Sequence, residues 1–94
     1  MKYALLGYGP YVPQSDTFDN AILSFELADA ETATTVRVRN GKVALADGAY
    51  GGRSEELCGV WVIDVPDLDG ALAVAQRWPA ARLGAVEVRP LRSV

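Results

Sequence analysis

Asn40-Gly41 is the feature that most restricts how this chain can fold. It stands between two segments, Thr34–Arg39 and residues 42–46, that alternate apolar and polar side chains. A period of two belongs to a strand with one buried and one solvated face. A two-residue loop between such strands must match their right-handed twist, and a type I′ turn does so with both central residues at φ > 0. Asparagine and glycine tolerate that conformation best. The sequence therefore predicts a β-hairpin at the middle of the chain, with Val36 and Val38 facing inward and Arg37 and Arg39 facing water.

Around the hairpin the pattern alternates between sheet and loop. Lys2–Tyr8 reads as a strand with Tyr3, Leu5 and Gly7 on one side and Ala4, Leu6 and Tyr8 on the other. Both sides are apolar, as in a central strand. Residues 9–20 are dense in Pro, Gly, Ser, Asp and Asn and read as loop. Residues 22–27 alternate around Leu23, Phe25 and Leu27 and read as a strand, with a short helix as the alternative over the start of that segment. Ser54 can cap one helical turn over residues 54–57, with Glu55 and Glu56 favouring its N-terminus. Residues 59–65 form the most apolar strand, with Val60, Val62 and Asp64 on one face and Trp61, Ile63 and Val65 on the other. Residues 67–78 read as the main helix. Asp67 is its N-cap, Leu68, Ala71, Leu72 and Ala75 form its apolar stripe, and Pro79 stops it. Residues 85–91 supply a final strand.

Ninety-four residues make one domain with a modest core. A net charge of −3 argues against nucleic acid, which needs a basic face. The single cysteine, Cys58, excludes an internal disulfide and reads as a buried, inert thiol. No apolar run approaches the ~18 residues that span a bilayer. The first residues are too short and too soon broken by glycine for a signal peptide. These features predict a cytoplasmic protein with neither nucleic acid nor membrane as partner.

The order of these segments resembles the DGPF-domain branch of the YCII-related proteins. The signature Asp-Gly-Pro-Phe falls on Asp47-Gly48-Ala49-Tyr50. Residues 1–9, 62–69, 78–82 and 86–90 are similar to the family's first strand, strand-to-helix junction and closing segments. The resemblance implies an α+β, ferredoxin-like antiparallel sheet of the dimeric α/β-barrel type, with one main helix. It also implies a small-molecule role in bacterial secondary or catabolic metabolism. The chain departs from the family between Pro10 and Leu27, where the usual first helix is shortened or absent. It departs again at Ala49-Tyr50, and at Gly51-Gly52, where an acidic residue is usual and Arg53 follows.

A homodimer is expected without reference to any family. Two strands are apolar on both faces, and one helix covers one face at most. A second copy is the available cover for the other. The alternative is that residues 10–33 fold back over it. The shortened first-helix region also predicts a ligand cleft lined by Tyr8, Tyr11, Phe18 and Trp78.

The chain has no histidine, and so lacks the commonest general base and metal ligand. Histidine–aspartate dehalogenation, attributed to some YCII-related enzymes, does not carry over. No metal-site spacing, phosphate loop or cofactor motif occurs. Asp47, Tyr50, Arg53 and Asp64 remain as candidate catalytic residues. Asp47-Gly48 also suits a plain turn, and Tyr50 a packed aromatic. Arg53 suits either a surface position or a carboxylate clamp. Asp64 is a base only if buried, since desolvation raises a carboxylate's pKa. At a strand end it sits in water. Two functions stay open. One is a cofactor-independent isomerase, lyase or cyclase, with Asp47 or Asp64 moving a proton while Tyr50 and Arg53 steady an oxyanion. The other is a non-catalytic ligand-binding or protein-interaction module.

Overall fold

The computed structural model describes residues 1–10, 21–52 and 56–92. Strand β1 (Lys2–Tyr8) is followed by β2 (Ala21–Glu26), a 3-10 turn (Ala30–Thr32), β3 (Thr34–Arg39) and β4 (Lys42–Asp47). Then come β5 (Leu57–Asp64), helices α1 (Leu68–Ala75) and α2 (Ala80–Leu83), and β6 (Ala85–Pro90). The main sheet runs β2-β5-β1-β6, and every neighbouring pair is antiparallel. Strands β3 and β4 form a separate two-stranded sheet. The architecture is α+β and compatible with a ferredoxin-like fold that carries a hairpin between its second and third sheet strands. Among the described residues, no helix is long and apolar enough to cross a membrane.

The two strands expected at the centre are there. In the β1–β5 ladder Tyr3 faces Ile63, Leu5 faces Trp61 and Gly7 faces Gly59. These side chains point to the helical face and, with Val65, are buried. Burying each large apolar side chain contributes about 1.5–3 kcal/mol. The Asn40-Gly41 turn has φ of 52° and 75°, as a type I′ turn demands. Strand β2 joins the sheet at its edge, so residues 21–26 do not fold over the open face. The first-helix region and the turn expected at Ser54 lie largely outside the described residues.

The main helix differs from expectation in length and in rotation. Asp67 caps it as predicted, its Oδ1 accepting the Gly70 N–H at 2.9 Å. The helix then ends at Ala75, short of Trp78. The last turn tightens, with Arg77 N–H donating to Val74 O and Trp78 N–H to Ala75 O. Pro79 starts α2 rather than only stopping α1. The buried stripe is Ala71, Val74, Ala75 and Trp78, while Leu68 and Leu72 lie exposed. Small alanines at the contact let the helix approach the strands closely.

Trp78 stacks on Trp61 with ring centroids 4.4 Å apart and planes at 18°. Gly7 and Gly59, opposite each other in the ladder, make the notch that receives it. A Cβ on either glycine would lie 3.1 Å from the Trp78 indole. The Trp61 Nε1–H donates to Ser24 Oγ, tying β2 to β5. Replacing Trp78 by alanine should therefore destabilise the fold by about 3–5 kcal/mol, read from the urea midpoint.

The other face of the sheet is uncovered among the described residues. Register places Leu23 beside Val62, and Phe25 beside Val60. It continues through Ala4 and Leu6 on β1 to Glu87 and Arg89 on β6. Leu23 and Phe25 are about half exposed (48% and 54%), and the central side chains are only partly covered.

Candidate functional site

Gly48 brings the base of the hairpin back to the chain before it. Its N–H donates to Ala33 O at 2.7 Å, and the Thr35 hydroxyl donates to Gly48 O at 2.9 Å. Gly48 has φ of 97°, so the turn reading of Asp47-Gly48 describes the backbone. Asp47 itself is exposed at the end of β4. This closure places Ala49 and Tyr50 against β3 and the segment leading into it. A cleft of about 520 Å³ results, lined by Leu27, Asp29, Ala33, Thr35, Tyr50 and Leu57 among others. A second hollow of about 250 Å³ lies along Arg37, Ala46 and the other side of Tyr50.

The Arg37 guanidinium carbon lies 4.9 Å from the centroid of the Tyr50 ring. At an exposed position such a pair contributes about 0.5–1 kcal/mol. Its larger effect is to hold a permanent cation in the smaller hollow that adjoins Tyr50. On sequence alone Arg37 belongs to a solvated strand face, and Arg53 is the candidate for this role. Arg53 lies outside the described residues. The available signal was register: on β3, Thr35 and Arg37 share the face that the β4 end turns back to meet.

The remaining sequence candidates are dispersed. Asp64 is exposed at the end of β5, its Oδ1 3.3 Å from the Met1 ammonium. The water-facing alternative therefore holds for Asp64, and the buried acid does not. Trp78 is 4% exposed and belongs to the core, so it cannot line a cleft. Tyr8 projects from the opposite sheet face, beside a hollow with Glu56 and Glu87. One strand position separates it from Gly7, and that flips the face. Tyr11 and Phe18 lie outside the described residues. Among the described residues no cluster of three or more His, Cys, Asp or Glu side chains is placed to hold a metal ion.

Cys58 is half-buried on the open sheet face, its Sγ 3.4 Å from Gly7 O. Burial pushes its thiol pKa up, with the Glu26 charge adding in the same direction. A raised pKa keeps the thiol neutral in the fold. The unfolded chain therefore ionises first, and this residue's contribution to stability is lost as pH rises past the ordinary thiol range. Iodoacetamide should alkylate Cys58 more slowly in the folded protein than in urea at pH 8. The rate should climb only at higher pH.

The YCII-related domain matches the chain over residues 1–94. No curated protein matches it closely enough to count as a relative. The sheet order, the hairpin and the match over the full length agree, and the chain belongs to the YCII-related family.

Proposed function

We propose that this protein is a homodimer that binds a small organic metabolite in the cleft at the base of the hairpin. The ligand would be apolar and carry a carboxylate or enolate oxygen. The observation that carries this reading is the Arg37–Tyr50 pair: Arg37 lines the smaller hollow beside Tyr50, and Tyr50 also lines the larger apolar cleft. A guanidinium offers a planar fork of N–H donors that matches a carboxylate. The Tyr50 hydroxyl, which the family's usual phenylalanine lacks, adds a donor for a ligand oxygen. The apolar walls would take the rest of the molecule.

Dimerisation enters because, among the described residues, the sheet has one covered face and one open apolar face. Two copies packed with these faces together, in the manner of dimeric α/β barrels, would hide Leu6, Val60 and Val62 from water. One cysteine and no disulfide suit a reducing cytoplasm.

Binding is favoured over catalysis. Asp64, one of the two carboxylates considered as a proton carrier, sits in water at the far end of β5. Asp47 directly precedes the turn that forms the cleft, but register places it on the Val36–Leu45 side and away from Arg37, which weakens the enzymatic reading. A cofactor-independent isomerase, lyase or cyclase would need to use Asp47 as base, with Arg37 and Tyr50 steadying the oxyanion.

Titration of ¹⁵N-labelled protein with benzoate and with an aliphatic 2-oxo acid tests the site. Amide shifts should cluster at Thr35, Ala49, Tyr50 and Leu57. Arg37→Gln should weaken binding about tenfold or more, as loss of a charge-assisted hydrogen bond of about 1.5–3 kcal/mol requires. Shifts centred on Tyr8 and Glu87 instead, or an Arg37→Gln variant that binds as well as wild type, would contradict it.

A further inference from the structure

We infer that Tyr50 is a movable partition between the two hollows at the base of the hairpin, latched by Arg37 and released when a ligand carboxylate takes the guanidinium. The inference rests on the binding site proposed above. Thr35, Ala49 and Tyr50 line both hollows, whereas Arg37 lines the smaller one and Leu27 and Leu57 the larger. The Tyr50 ring is therefore a shared wall. The cation suited to a carboxylate and the apolar walls suited to the rest of a ligand stand on opposite sides of it. One ligand reaches both only if the wall moves.

Charge decides which end of the ligand goes where. Asp29 lines the larger cleft, so a carboxylate seated there meets a like charge. Ala44, Leu45 and Ala46 line the smaller hollow with Arg37. Among the described residues no carboxylate pairs with Arg37. The anionic head therefore belongs in the smaller hollow. That hollow holds about 250 Å³ against about 520 Å³ for its neighbour, so the body of a larger ligand extends into the cleft. The ligand class is then an elongated carboxylate with an aryl or long alkyl body.

The local chain allows the movement. Tyr50 is 67% exposed, and exposed side chains change rotamer freely. Ala49 and Tyr50 stand between Gly48 and Gly51, at φ of 97° and 102°. A Cβ on either glycine would meet no atom within 4 Å, so open space surrounds both. Gly48 is pinned by its hydrogen bonds to Ala33 and Thr35 and anchors one end. The hold on the ring is the Arg37 guanidinium, 4.9 Å from its centroid. A cation over an exposed ring is a weak latch, and a carboxylate is the stronger partner for it. A ligand that draws Arg37 away thus frees Tyr50.

Protein labelled with ¹³C in arginine and tyrosine, titrated with biphenyl-4-carboxylate, tests this. NOEs between the Arg37 side chain and the Tyr50 ring should be present in the free protein. They should vanish at saturation, while the probe gives NOEs to both Tyr50 and Leu57. Tyr50→Ala, which leaves the partition open, should take up the probe about two- to fivefold faster by line-shape analysis, as release of so weak a latch requires. Arg37–Tyr50 NOEs that persist at saturation, with amide shifts at Thr35, Ala49 and Leu57, would overturn the partition and leave the site standing. An unchanged association rate in Tyr50→Ala would likewise overturn it. A probe that shifts no amide at the hairpin base at millimolar concentration would overturn both.

Discussion

The stack of Trp78 on Trp61 holds the rest of the structure in place. It needs two glycines facing each other across the central ladder, since a methyl group on either would press on the indole at 3.1 Å. It continues the buried stripe of Ala71, Val74 and Ala75 by one more turn. It also orients Trp61 so that its N–H reaches Ser24 and fixes the edge strand. Helix placement, sheet width and the bearing of β2 all follow from one aromatic contact and the space made for it.

The stack also determines what is left uncovered. By drawing the helical layer onto Tyr3, Leu5, Trp61 and Ile63, it commits that layer to one face. The alternate residues of the same strands are also apolar, so the opposite face carries hydrophobic surface that no helix among the described residues meets. The hairpin repeats the problem on a smaller scale. Each apolar face by itself would be a modest exposed patch. Together they are the apolar surface that the proposed self-association would remove from water.

The sequence was most legible where local chemistry dictates geometry. Asn40-Gly41 specified its turn, Asp67 its cap, and the apolar runs of β1 and β5 their central positions. It was least legible where tertiary packing overrode local pattern. The helix periodicity at Leu68 and Leu72 pointed to a stripe that the Trp78 contact rotates toward Val74. Trp78 read as a cleft aromatic because nothing local reveals that Gly7 and Gly59 will stand opposite each other. At the candidate site, Tyr50 was found from its motif position. Arg37 was missed, because a cation on a solvated strand looks the same whether or not the chain returns to meet it. Asp64 looked unusual within an apolar strand, and proved to be the strand's last, water-facing residue.

On the proposed reading, a second copy covers the open sheet face. Sedimentation equilibrium over a dilution series from millimolar to nanomolar tests it most directly. The account predicts a dimer at the upper concentrations that dissociates on dilution, and dissociates sooner when Val60 on the open sheet face is replaced by aspartate. A folded monomer at every concentration, with its tryptophan stack intact, would contradict it.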